Sequence, residues 1–239
     1  MSKYKLVILS LIGLLGFGIF SNAQTLEKEC QKDGNTLFLC HFNSLDEIKR
    51  LGGEFGNEVK CVPGKFGNGL LCEKKGDFIA FPTANNINLT QGTIEMWVKP
   101  TIGLKDIKFP EEPHPWLFHL FTGKDEESFY IYYNAGNGTI AMALSRLNEG
   151  KQVSAYPQAV VMNWKMGEWH HLAFTWGNGT FIYVDGKLAA TQKFDGGIEK
   201  VPDKFYLGST AWLSNPARMV IDEVRILNKQ IEFSQPAVW

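Results

Sequence analysis

Titratable residues set side by side are the first places to look for chemistry. Trp169-His170-His171 carries two adjacent imidazoles, and Asp222-Glu223, Glu111-Glu112 and Glu126-Glu127 each carry two adjacent carboxylates. Acid–base work on one bond needs both groups to reach the same atoms. On a β-strand, neighbouring side chains point to opposite faces. His170-His171 and Asp222-Glu223 therefore cannot converge if they lie on strands, and the two Glu pairs in loop-like sequence meet the same objection. Gly136, Gly138 and Ala141 match G-x-G-x-x-A. That fingerprint needs a helix after its glycines, and the segment TIAMAL alternates as a strand does. No G-x-S-x-G, H-E-x-x-H or Cys–His signature is present. No catalytic residue is assigned, and enzyme activity is not expected.

The elements that must position any site come next. The chain has 239 residues, 24 Lys+Arg against 25 Asp+Glu, and 44% hydrophobic residues. A balanced charge excludes a generic nucleic-acid binder, which needs a basic surplus to displace counterions. The apolar fraction excludes wholesale disorder. Lys3 and Lys5 precede an apolar run over residues 6–20, and Ser21-Asn22-Ala23 follows. This is the pattern of a signal peptide over 1–23. It predicts a secreted, extracellular or periplasmic chain with no membrane span after processing. Residues 24–35 then form a lead-in. Export means oxidising conditions, so Cys30, Cys40, Cys61 and Cys72 are expected to form two disulfides. Three pairings are open. The local one, Cys30–Cys40 with Cys61–Cys72, is favoured because turn sequences lie between its partners. A zinc site is the rival, but no C-x-x-C spacing exists and His41 is the only nearby His.

Beyond the leader, one short helix is predicted over 44–50, with Ser44 as N-cap and Glu47 three residues on. Elsewhere apolar residues alternate with period two between Gly, Asn, Asp and Pro, from 37–42 through 93–99, 116–122 and 129–134 to 219–227. Short strands in succession predict one all-β sandwich. Gly-Asn-Gly-Thr at 136–139 and at 177–180 marks two hairpin turns, and Asp185-Gly186 a third. In 219–227, strict alternation puts Asp222 on one face with Val220, Val224 and Ile226. A carboxylate on an apolar face is costly unless paired or bound to a cation. In 93–99, Glu95 and Trp97 oppose the set Ile94, Met96 and Val98, and a Glu95–Arg225 salt bridge is the plain reading. The longest irregular stretches are 101–115 and 210–218. Three N-x-T sequons begin at Asn88, Asn137 and Asn178; turn chemistry explains the last two.

VPGKFGNGLLCEKKGDFIAFP (62–82), LTQGTIEMWVKP (89–100), GEWHHLAFTWGNGTFIYVDGKLAAT (167–191), FYLGS (205–209) and VIDEVRILNKQI (220–231) follow one another in an order and spacing that resembles the LamG-like jelly-roll family of the concanavalin A-like lectin/glucanase superfamily. The resemblance covers 36–231, leaving 232–239 as a tail. It implies a two-sheet antiparallel jelly-roll sandwich whose faces and rim loops often bind glycans. The superfamily's glucanases carry E-x-D-x-x-E on one strand, which puts an acid and a nucleophile on one face; this chain has none. Members often hold a structural calcium near the terminal strands, which points to Ca²⁺ on Asp222 with Asn43 and the Gly76-Asp77 turn. Hydrogen bonds from a backbone N–H or a His are the alternative for Asp222. Sugar rings stack on aromatic faces while amides and carboxylates read their hydroxyls, so Trp116, Tyr130, Tyr132, Trp164 and Trp212 are the candidate ligand residues. The expectation is a secreted, non-catalytic, carbohydrate-binding module whose partner is a glycan. An adhesion domain for an extracellular protein is the alternative, and a hydrolase or lyase on the same fold stands behind both.

Overall fold

The computed structural model describes residues 28–56, 58–123 and 127–233. The expected signal peptide and most of the 232–239 tail lie outside them. Fifteen strands and one short helix follow in order: β1 (Thr36–Cys40), α1 (Leu45–Arg50), β2 (Glu54–Phe55), β3 (Lys60–Pro63), β4 (Asn68–Cys72), β5 (Ile79–Pro82), β6 (Gly92–Pro100), β7 (Trp116–Phe121), β8 (Ser128–Asn134), β9 (Thr139–Asn148), β10 (Lys151–Ala155), β11 (Gln158–Val160), β12 (His170–Val184), β13 (Lys187–Gly196), β14 (Lys204–Leu207) and β15 (Met219–Leu227). They build two antiparallel sheets. One runs β13-β12-β6-β15-β4-β3 with β1 also beside β15; the other runs β10-β9-β8-β7-β14-β5-β2 with β11 beside β9.

The turns are where the glycines predict them. Asn134 pairs with Thr139 across the first Gly-Asn-Gly turn, where Gly138 has φ of 73°. β12 is one extended run that folds back at Gly177–Gly179, both with positive φ. Residues 170–176 pair with β6 and residues 180–184 with β13. Its ends meet, the His171 carbonyl accepting from the Asp185 N–H at 2.8 Å. Ser44 caps α1 by accepting from Glu47 N, and the Glu47 carboxylate accepts from His41 N and Asn43 N, both at 2.8 Å. β2, β3 and β11 were not legible as strands. They are two to four residues long and largely at sheet edges.

Between the sheets lies one apolar core. Phe38 packs edge-on to Phe81 at 4.7 Å, Phe118 stacks on Phe205 at 5.6 Å, and Phe129 meets Trp176 at 5.0 Å. Ile94, Met96 and Val98 of β6 point into this core while Glu95 and Trp97 do not, as alternation predicts. β15 departs from alternation. Glu223 takes φ of 54° and the pairing with β6 slips between Asp222 and Arg225. This bulge reverses the faces. Met219 and Ile221 point inward before it, and Val224 and Ile226 after it. Asp222 therefore lies opposite Trp97 on the outer face, not with Val224 and Ile226 as strict alternation had it.

That outer face carries a buried polar network. Glu95 is 1% exposed; its Oε1 accepts from the Arg225 guanidinium and its Oε2 lies 3.2 Å from His171 Nε2. The expected Glu95–Arg225 pair is present, extended by a histidine. The lead-in covers it from one side, Arg225 Nη1 donating to the Gln31 carbonyl and Cys30 N to Glu223 Oε2. Phe233 covers it from the other, against His171 and Tyr183.

All four cysteines are free thiols, which corrects the expected local pairing. Cys40 and Cys72 sit in the core on β1 and β4, Cys30 lies in the lead-in beside Glu223, and Cys61 is on β3 facing Leu70 in register. Strand direction, not nearness in sequence, decides where each thiol points.

Candidate functional site

The outer face of the eight-stranded sheet is built differently, from rings. Alternation along β8 turns Ile131 and Phe129 inward and Tyr130 and Tyr132 outward. On β7 the register slips between Trp116 and Phe118, so the extra residue, Leu117, lets Trp116, His119 and Phe121 all face outward. Trp116 then lies opposite Tyr132 and His119 opposite Tyr130. Trp116 stacks on Tyr132 at 5.3 Å and 20°, and leans on Tyr130 at 4.9 Å. Tyr132 extends the row to Tyr156, with which it shares a hydroxyl hydrogen bond, and to His114. His114 in turn stacks on Phe109 at 4.4 Å.

Above this bed lies the segment after β14. Trp212 meets His119 at 4.9 Å, Phe121 at 5.1 Å and Trp116 at 6.5 Å, the last nearly perpendicular at 84°. Three rings support it, yet Trp212 is 56% exposed. A large apolar ring resting on other rings and open to water is a stacking surface held in place before any ligand arrives. Its loop is pinned at several points. Ala211 N donates to His119 Nδ1 at 2.9 Å, Leu213 N to the Thr210 carbonyl at 3.0 Å, and Gly76 N to the Leu213 carbonyl at 2.9 Å. Polar groups flank the loop: Ser214 and Thr210 hydroxyls, and Asn215, whose Nδ2 donates to the His114 carbonyl. The Trp116 indole N–H and the Ser209 hydroxyl are enclosed without a hydrogen-bond partner among the described residues.

His119 is the pivot of this arrangement. It is 1% exposed, and burial pushes its pKa down to about 4. The imidazole is neutral at pH 7, and accepting the Ala211 N–H at Nδ1 places its proton on Nε2. Protonation of Nδ1 removes that acceptor. Because the folded pKa lies below the 6.5 of a free histidine, the stability this bond lends the loop is full above pH 6.5 and is lost as pH falls toward 4. The expected result is a Trp212 fluorescence change with a midpoint near pH 4 that disappears in His119→Asn; a midpoint above pH 6 would contradict it.

Of the five predicted ligand residues, the structure brings Trp116, Tyr130, Tyr132 and Trp212 onto one face. Trp164 is elsewhere, stacked on His170 at 3.9 Å and 4°, where it packs rather than waits. His119, Phe121, Tyr156 and His114 join the site unannounced. The Leu117 bulge hides the alternation of the first two, and loop packing brings the others.

The candidate calcium residues fall on two turns. The Asp222 carboxylate accepts three backbone N–H groups, from Lys65, Phe66 and Glu223, at 2.7, 3.0 and 2.8 Å. Asn43 Oδ1 accepts from Asn68 N at the other end of that turn. Asp77 accepts from Glu73 N and Lys74 N within a different turn, whose Gly76 buttresses the Trp212 loop. Backbone donors, the alternative left open for Asp222, are what it has. Burial lifts its pKa to about 6 against those bonds. Ca²⁺ takes roughly six to eight oxygens, and carboxylate oxygens ringed by N–H groups do not supply them. A melting temperature equal in EDTA and in CaCl₂ is expected; a rise of several degrees in CaCl₂ would show a cage closing on Asp222 and Asn43.

Three further carboxylates are committed to structure. Glu112 pairs with Arg218, Glu127 accepts from Lys200 N, and Glu223 lies 2.6 Å from His41 Nδ1.

A family model described as the concanavalin A-like lectin/glucanases superfamily, of laminin G type, matches residues 73–235. The chain belongs to that superfamily. Solved structures of the same fold agree. Domain 4 of AbnA, a GH43 extracellular arabinanase from Geobacillus stearothermophilus in complex with arabinotriose, aligns with TM-score 0.56 at 20% identity over 77% of this chain and 85% of that one. The binding domain of Paraclostridial Mosquitocidal Protein 1 aligns with TM-score 0.60 at 14% identity, over 82% of this chain and 49% of that one. The botulinum neurotoxin serotype D ligand-binding domain, in complex with N-acetylneuraminic acid, gives TM-score 0.55 at 14% identity, over 75% and 43%. This chain thus spans less than half of the two toxin domains. At these identities the likeness is one of fold. No curated protein matches the chain significantly. No helix among the described residues is long and apolar enough to cross a membrane.

Proposed function

We propose that this superfamily member is an exported, non-catalytic carbohydrate-binding module that seats a sugar ring on the open face of Trp212. The observation that carries the reading is the half-exposed indole supported by Trp116, His119 and Phe121. A sugar's C–H face stacks on such a ring, and the adjoining Ser214 and Asn215 side chains suit its hydroxyls. The fold neighbours crystallised with arabinotriose and with N-acetylneuraminic acid support a glycan as the partner class, and the leader-like pattern over 1–23 supports export. Probing the mature chain on a glycan array tests this, with binding of at least one oligosaccharide class expected. Silence on the array together with capture of an extracellular matrix protein would favour the adhesion reading.

A further inference from the structure

A second place in the molecule, a cleft between two loops built from residues other than those of the Trp212 face, has the makings of a ligand site. The loop joining β5 to β6 and the loop joining β13 to β14 bound a cleft of about 850 Å³, within the size range of small-molecule sites. It is rigid. Ile198 N donates to the Leu89 carbonyl at 3.0 Å, and a Cβ on Gly197 would lie 1.6 Å from that same oxygen, so the two loops touch backbone to backbone. Trp176 Nε1 ties the Asn88 carbonyl at 3.1 Å. Leu89 and Ile198 give the cleft apolar surface, and Asn88 and Asn228 give it polar lining.

Two charged side chains also line it, Arg146 and Glu199. Arg146 Nη2 donates to the Asp195 carbonyl at 2.8 Å, and its guanidinium sits 5.8 Å from the Phe194 ring centroid. Those contacts fix the fork in place. They leave the rest of it uncommitted: among the described residues Nε is enclosed with no partner, and no carboxylate pairs with the guanidinium. Glu199 likewise makes no ion pair or side-chain hydrogen bond among the described residues. A fixed guanidinium without a counter-charge matches a carboxylate, which it can engage through two parallel N–H groups. A free carboxylate and amides beside it match hydroxyls.

We propose that this cleft binds a carboxylate-bearing sugar, a uronate or a sialate, with the acid on Arg146 and ring hydroxyls on Glu199 and the asparagines. The site is independent of the Trp212 face, so each can fail without the other. Calorimetry with uronate-terminated, sialate-terminated, carboxyl-reduced and neutral oligosaccharides tests it on the mature chain, on R146Q and on W212A. Expected are binding of one acidic class to the wild type, at least tenfold weaker binding to R146Q, undiminished binding to W212A, and a comparable loss when the wild type meets the carboxyl-reduced sugar. The last arm holds even where R146Q perturbs its loop. Acidic sugars that ignore the wild type, that bind R146Q as well, or that are lost in W212A instead, overturn the proposal. Loss of neutral-sugar binding alone would bear on the Trp212 reading and leave this one standing.

Discussion

Arg225→Met is expected to destabilise the fold by about 3–5 kcal/mol, the usual cost of stripping one partner from a buried ion pair. Glu95 is 1% exposed and Arg225 5% exposed, so no water stands ready to replace the guanidinium. His171 Nε2, at 3.2 Å from the Glu95 carboxylate, carries no fixed charge to match the guanidinium's, and the Gln31 carbonyl would lose its donor. For a domain of this size the melting temperature should fall by roughly 10 °C or more. The double variant Glu95→Gln/Arg225→Met should recover much of the loss, because it removes the buried charge as well as its partner. Scanning calorimetry of both variants decides it, and a fall of under 2 °C in the single variant would mean the pair is solvated. Acid reaches the same network. Burial pushes the Glu95 pKa up, but His171 and Arg225 outweigh it and hold it below 4.5. A carboxyl with a depressed folded pKa lends stability that is full above its unfolded value and lost as pH falls through the folded one.

Trp212→Ala should weaken binding of neutral glycans at least tenfold, about 1.4 kcal/mol or more, while leaving the melting temperature within about 2 °C. The combination is diagnostic. A half-exposed ring outside the core contributes little to folding, so a large effect on binding with a small one on stability marks a ligand contact. Trp164→Ala is the opposite case. Stacked on His170 and packed against the core, it should cost stability and spare affinity. Isothermal titration with an array-selected neutral oligosaccharide, alongside thermal melts of both variants, separates the two. Equal affinities for wild type and Trp212→Ala would remove the platform from the account.

Much of this architecture is legible in the chain because its signals are local. Alternation in β6 assigns Ile94, Met96 and Val98 to the core, and the Gly-Asn-Gly turns appear where positive φ is needed. What escapes is set by single inserted residues and by contacts across the sheet. Glu223 and Leu117 each add one residue to a strand, and either bulge turns the following side chains over. That is why Asp222 leaves the apolar face and why His119 and Phe121 join Trp116. Trp212 is recognisable in sequence only as an aromatic in an irregular stretch. Its significance comes from Ala211 bonding His119 across the sheet, a contact 92 residues long that no local pattern encodes. The cysteines show the same limit, since proximity along the chain says little about thiols carried on different strands.

The central claim is that Trp212, held open by its bed of rings, is where a sugar lands. A crystal of the mature chain soaked with a neutral oligosaccharide that binds on the array tests it most directly. The account predicts density for a pyranose or furanose ring lying flat against the solvent-facing side of Trp212, with hydroxyls toward the 209–215 loop. The same neutral sugar ordered elsewhere beside a bare Trp212, with an affinity that Trp212→Ala leaves unchanged, would contradict it.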